Sequence, residues 1–196
     1  MNDNDYDKHF RLLICGGSGT GKATLLNCFL FEGHGSEGTT VLKLYGENIR
    51  IDVRIKDKWQ PEYVSEYDAV IIVFASDNFK SFQYAMEVVR DVQDCDFLPV
   101  VLIENKIDLI DNYDFSNKDV IETAVRHARM RLYRVSAKED FNVMHPFAYI
   151  LEKLLRYRDE NANVREQNPN FRLPVREGWV DRPLSTSRRN SNCAIM

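Results

Sequence analysis

This chain predicts an α/β fold built on a doubly wound, mostly parallel sheet, and three observations carry that expectation. The apolar runs at 10–15, 69–74 and 100–103 read as strands covered on both faces. Segments with helical periodicity lie between them, so strands and helices alternate along the chain. The first strand also runs straight into Gly16-Gly17-Ser18-Gly19-Thr20-Gly21-Lys22 and then into a helix, the order required of a phosphate-binding loop.

Composition narrows the possibilities. The chain has 196 residues, 44% hydrophobic and 29% charged, which suits one soluble domain with a full core. A net charge of −4, with no strongly basic folded region, argues against a nucleic-acid partner. Cys15, Cys28, Cys95 and Cys193 lack metal-ligand spacing; the first three sit in apolar segments as small hydrophobes, consistent with a reducing, intracellular compartment. No apolar stretch is long enough to span a membrane, and the acidic start at Asp3, Asp5 and Asp7 is the opposite of a signal peptide. The expected organisation is an N-terminal extension at 1–9, a nucleotide-binding domain at 10–158 and a flexible tail at 159–196. Residues 160–170 and 182–192 are polar enough that they should not repay their ordering entropy.

Each element has its own reason. After the strand at 10–15, residues 23–30 read as a helix and 31–38 as a glycine-bearing loop. Residues 41–45 and 49–55 alternate apolar and polar across Gly46-Glu47-Asn48, which predicts a hairpin. Residues 57–68 contain Pro61 and read as loop, and the continuous apolar run at 69–74 is a buried strand. Asp77 or Asn78 can cap a helix whose Phe82, Met86 and Val89 share a face. A strand at 100–103, a helix at 118–130 and a short strand at 132–135 follow. The last helix, 144–157, carries Phe147, Ile150, Leu151, Leu154 and Leu155 as its core stripe.

The glycine loop has a definite chemistry. Its glycines let backbone N–H groups converge on an anion, and the following helix adds the positive end of its dipole. Lys22 supplies a point charge for terminal phosphates. A purely structural glycine turn is the bland alternative, and the flanking strand and helix weigh against it. One position departs from the pattern: the hydroxyl that should ligate magnesium is replaced by Ala23. Thr24 is rotated about 100° farther round the helix and cannot simply take its place.

Two more motifs close later strands. Asn105-Lys106-Ile107-Asp108 follows the strand at 100–103, and Ser136-Ala137-Lys138 follows the one at 132–135, both at the carboxyl edge where such sheets bind ligands. With the phosphate loop, they make residues 10–157 resemble the Ras superfamily of small GTPases, with 133–138, Asn142, Pro146 and Phe147 most like Ran and next like Rab. Nothing resembles Ran's acidic tail. The resemblance implies GTP and GDP as ligands, held by Gly16 to Thr24 and by the two later motifs. It implies that Asp108 accepts two hydrogen bonds from guanine, that Asn105 supports the base and ties the loops together, and that Lys106 and Lys138 flank the ring. It further implies that the Ala137 N–H points at the guanine oxygen.

The same resemblance exposes what is missing. The second switch of the family begins Asp-x-x-Gly, usually followed by glutamine; here it reads Asp57-Lys58-Trp59-Gln60-Pro61. Asp57 stands where the family holds magnesium through a water, and Thr39 or Thr40 is the candidate first-switch threonine, the adjacent pair leaving its register open. Gln60 replaces the glycine that senses the γ-phosphate, and Pro61 replaces the glutamine that orients water, offering no amide and no N–H. The strand at 69 arrives so early that the usual switch helix is largely deleted.

Cys193-Ala194-Ile195-Met196 fits a prenylation signal, with terminal Met favouring farnesyl. A single lipid anchors only marginally, and Arg182, Arg188 and Arg189 add a thin basic patch. The expected location is therefore the cytoplasmic face of a membrane, reversibly, with a cytosolic pool. Two readings compete: a cycling GTPase switch, and a guanine-nucleotide-binding module with weakened Mg2+ and impaired hydrolysis that serves signalling or trafficking through effector or regulator proteins. Ala23, Gln60, Pro61 and the short second switch favour the second; the extreme form is a scaffold that has lost nucleotide dependence. An ATP-using kinase is disfavoured by Asn105-Lys106-Ile107-Asp108.

Overall fold

Leu12, Leu13, Ile14 and Cys15 are all fully buried, and this demand for two covered faces makes their strand the middle of the sheet. In the computed structural model, which describes residues 6–30, 37–93, 95, 97–112 and 116–160, that strand is β1 (Lys8–Cys15). Lys8 and His9, expected in an extension, already pair with Ile49 and Arg50. The lipidation and basic-patch expectations at Cys193, Arg182, Arg188 and Arg189 lie outside the described residues.

The remaining elements are α1 (Lys22–Leu30), β2 (Glu37–Leu44), β3 (Glu47–Lys56), α2 (Tyr63–Glu66), β4 (Ala69–Ala75), α3 (Phe79–Val92), β5 (Val100–Asn105), a 3-10 helix (Ile107–Asn112), α4 (Ser116–His127), β6 (Leu132–Arg134) and α5 (Met144–Glu160). The six strands order β2-β3-β1-β4-β5-β6, antiparallel only between β2 and β3. Alternate residues of β1 and β4 face opposite layers. Phe10, Leu12, Ile14, Ile71 and Val73 meet α1 and α5, whereas Leu13, Cys15, Val70, Ile72 and Phe74 meet α3 and α4. The doubly wound expectation is thus realised, and its two-sided burial explains why β4 is buried at all seven positions.

Local differences from the expected elements have local causes. The hairpin turn is Tyr45-Gly46, both at positive φ, because β3 begins at Glu47 directly opposite Leu44. Asn78, not Asp77, caps α3 by accepting the Ser81 N–H at 3.2 Å, which leaves Asp77 to pair with Lys106. The helix expected to reach Met130 stops at His127. Arg129 turns left-handed at φ 52°, and Met130 N–H closes back on the Val125 carbonyl at 3.1 Å, a helix end usually marked by glycine. Residues 57–68 are not all loop: Tyr63–Glu66 make one helical turn. α5 continues to Glu160, two residues past the expected domain edge.

Phe29 of α1 stacks on Phe147 of α5 at 3.9 Å between centroids and 5° between planes, joining the two helices over the sheet. Phe147→Ala should therefore cost about 3–5 kcal/mol in urea denaturation. Phe97→Ala, at a position 69% exposed, should shift stability by only about 0.5 kcal/mol.

Candidate functional site

Three chain segments converge where β1, β5 and β6 end, because parallel strands deliver all their carboxyl ends to one edge. The first is the loop Gly16 to Gly21. A Cβ on Gly16 (φ 152°) would collide with the Val73 carbonyl oxygen, and a Cβ on Gly21 (φ 87°) would strike the Asn105 amide nitrogen. These glycines are thus demanded by the packing of the loop against β4 and β5. Thr20 is buried and donates its hydroxyl to the Gly17 carbonyl at 3.0 Å. Gly17 is half-buried and Ser18 and Gly19 are exposed at the rim.

Lys22 opens α1 with its side chain only 4% exposed. Its ammonium group donates to the Gly16 and Gly17 carbonyls at 2.8 and 2.7 Å and pairs with Asp57 Oδ1 at 2.7 Å. Its three protons thus have three acceptors, and the charge is held at the mouth of the loop rather than projected into solvent. Cys15, one residue before the loop, is pushed up to about 12 by burial, against the pull of Lys22, so it stays a neutral thiol. Ala23 and Thr24 follow on the exposed side of α1.

The second segment is Asn105 to Asp108. Asn105 is 1% exposed and spends both ends of its amide: Nδ2 donates to the Thr20 carbonyl at 2.9 Å, and Oδ1 accepts the Ala137 N–H at 3.0 Å. The expected tie between loops is present. The expectation for Ala137 is modified, since its N–H is given to Asn105. Lys106 sits at φ 66°, with its carbonyl accepting from the Ser76 hydroxyl and its ammonium 3.3 Å from Asp77. Asp108 is half-buried, with Oδ1 accepting the Ser136 hydroxyl at 2.6 Å.

The third segment is closed on itself. Ser136 and Phe141 exchange two backbone hydrogen bonds, at 3.1 and 2.9 Å, and Glu139 N–H is donated to the Ser136 hydroxyl oxygen. Ala137 and Ser136 are buried while Lys138 is exposed on the rim. The arrangement leaves a carboxylate, Asp108, oriented by a buried hydroxyl across the rim from a lysine-bearing glycine loop. It can hold a ligand that is anionic at one end and presents N–H donors at the other.

The metal side differs. Of the expected oxygen donors, Asp57 alone reaches the loop, through Lys22. Thr39 lies within β2 opposite Asp52 and donates its hydroxyl to Asp52 Oδ1 at 2.8 Å; Thr40 pairs with Ile51. Asp52 lies five residues before Asp57, or about 17 Å along the strand. Burial would raise the Asp52 carboxyl, but hydrogen bonds from Thr39, His9 and Arg50 outweigh it and hold the group below the usual carboxylate range. Neither threonine is therefore gathered with Asp57, because strand pairing holds both in the hairpin. A three-oxygen magnesium set does not fit the described residues.

Several supporting residues escaped the sequence reading. Ser81, buried on α3, accepts the Ala75 N–H at 2.9 Å and donates to the Asn78 carbonyl at 2.6 Å beside the loop. Glu104, 3% exposed, receives Arg134 Nε at 2.9 Å, and the same guanidinium reaches Glu122 of α4. That pair joins the strands that carry the second and third segments. Its signal was visible in principle: a charge ending an apolar strand, opposite an opposite charge on the next strand.

Asn105→Ala would leave the Thr20 carbonyl and the Ala137 N–H without partners, a loss of about 2 kcal/mol or more. Gly21→Ala drives a methyl into the same amide, so the two changes should be non-additive in a double-mutant cycle by urea denaturation. Strict additivity would mean that the contact does not couple the segments.

Comparison with known proteins agrees with this geometry. The model of the Ras family matches residues 11–156. The chain is 26% identical over 205 aligned positions to the Ras-related protein Rab-15 of Homo sapiens, covering 93% of this chain and 96% of that one. It is 25% identical over 207 positions to a Ras-like protein of Laccaria bicolor, covering 96% and 97%. Ras-like protein 1 of Saccharomyces cerevisiae is 24% identical over 202 positions, covering 94% and 65%. The fold and the family match over most of its length agree: the chain belongs to the Ras family of small GTP-binding proteins.

Proposed function

We propose that this protein binds GTP and GDP with a weakened contribution from Mg2+, hydrolyses GTP slowly or not at all, and serves as a membrane-associated signalling or trafficking module. The observation that carries the binding half is the Asn105 brace, which joins the glycine loop to the loop of Ala137 while Ser136 orients Asp108. Gly16 to Gly21 and Lys22 would take the phosphates, with Ala23 and Thr24 on the adjoining turn. Asp108 would accept from the two N–H donors of guanine, and the stems of Lys106 and Lys138 would flank the ring. Adenine offers no such pair of donors, so base choice follows from Asp108.

The weakened metal and slow hydrolysis rest on residues that lack the chemistry. Ala23 has no hydroxyl, Thr39 is engaged with Asp52, and Pro61 has neither an amide side chain nor an N–H to position water. Glu62 is near in sequence, but a carboxylate beside phosphates would be repelled. With so little to orient the nucleophile, the proximity contribution to catalysis is lost. The lipid anchor rests on Cys193-Ala194-Ile195-Met196 alone.

In a calorimetric titration GDP should bind far better than ADP. Asp108→Ala should cost about 1–3 kcal/mol by leaving guanine donors unpaired; equal affinity for GDP and ADP in the parent protein defeats the reading. Ala23→Ser should increase the slowing of GDP release by magnesium, and single-turnover GTP hydrolysis should stay well below that of ordinary relatives. If EDTA already accelerates GDP release strongly in the parent, the metal argument is wrong. In cells, the parent should partition partly to membranes and Cys193→Ser should not. An unmodified C-terminus by mass spectrometry, with identical partitioning, removes the anchor.

A further inference from the structure

We propose that the second switch, residues 57–68, keeps one conformation whichever guanine nucleotide is bound, an inference that rests on the nucleotide-binding reading above. Only twelve residues connect β3 to β4, and they are fastened to the core at points that involve no phosphate. Trp59 donates its backbone N–H to the Tyr84 hydroxyl on α3 at 2.7 Å. Its indole packs edge-on to Tyr63 at 5.8 Å and 82°, and Tyr63 packs edge-on to Tyr67 at 5.8 Å and 88°. Tyr63 is only 8% exposed and belongs to the core layer of Leu13, Cys15 and Phe74, against which Trp59 and Tyr67 also pack.

The backbone is equally committed. Tyr63, Val64 and Ser65 donate their N–H groups to the carbonyls of Gln60, Pro61 and Glu62, and Tyr67 donates to Tyr63. At the far end, Asp68 accepts the Arg11 N–H of β1 at 2.7 Å. The Trp59 indole N–H is buried with no partner among the described residues. A donor left in this state indicates that ring packing, not hydrogen bonding, sets the position of the indole.

A ligand moves an equilibrium only through contacts that differ between the two states. In this segment, among the described residues, the contact that a nucleotide would replace is Asp57 with Lys22. Release of Asp57 leaves intact the hydrogen bonds of Trp59 to Tyr84 and of Asp68 to Arg11 and the ring contacts among Trp59, Tyr63 and Tyr67, because none of these is made to Lys22. At the sensing position Gln60 keeps an N–H but lacks the backbone freedom with which glycine would swing inward to a γ-phosphate, and Pro61 after it restricts the backbone further. A protein that reads residues 57–68 should therefore bind the GDP and GTP forms alike.

The test is amide hydrogen exchange by mass spectrometry on the full chain loaded with GDP or GTPγS, with bound nucleotide quantified after denaturation. Peptides spanning 57–68 should exchange at the same rate in both forms. Tyr84→Phe should speed exchange at Trp59 equally in both, and also in nucleotide-stripped protein. In a Trp179→Phe background, Trp59 emission should not shift between the two forms. A state-dependent rate or emission overturns the proposal, and so does a Tyr84→Phe variant that leaves exchange at Trp59 unchanged. Failure of both nucleotides to load would instead sink the binding reading, and the Tyr84→Phe comparison would still judge the fastening.

Discussion

The amide of Asn105 is the interaction on which the site depends. A single side chain, almost wholly buried, donates to the loop that follows β1 and accepts from the loop that follows β6. Two segments more than a hundred residues apart in sequence are thereby held to one geometry. Burial raises the stakes, since each of the bonded groups would otherwise be a desolvated polar atom. The left-handed Gly21 exists to let that amide approach, so the glycine motif and the asparagine motif are two sides of one contact.

Around this brace the site has two unequal halves. The half around Asp108, proposed to face the base, is over-supported: Ser136 orients Asp108, the Ser136–Phe141 pairing closes its loop, and Arg134 clamps Glu104 just before Asn105. The half around Lys22, proposed to face the terminal phosphates and the metal, is thin. Lys22 is held by two carbonyls and by Asp57, the next residue is Ala23, and the threonines are engaged in the hairpin. On the proposed reading, binding energy and catalysis draw on different halves of such a site, and the first is the better furnished.

The hairpin and the second switch share a physical theme. Residues that would have to move for magnesium or γ-phosphate sensing are already engaged in stable local structure. Thr39 is fixed by β pairing and by Asp52, which also gathers His9 and Arg50. Trp59 and Tyr63 are fixed by aromatic packing against a core layer. Each arrangement is stabilised by contacts within the protein, among the described residues.

The sequence by itself determined the architecture and which loops meet at the carboxyl edge of the sheet. The continuous apolar run at 69–74 reads as a strand covered on both faces, which β4 realises, and a glycine loop between strand and helix specifies its own location. Elements that depend on local periodicity were legible for the same reason. What only the tertiary structure decided were pairings between distant residues. These include Arg129 ending α4 without a glycine, Thr39 bonding Asp52, the Ala137 N–H going to Asn105, and Asp57 going to Lys22. Local patterns record which face of an element is apolar, but a polar group's partner is set by where the sheet's register and the loop closures bring the other chain segments.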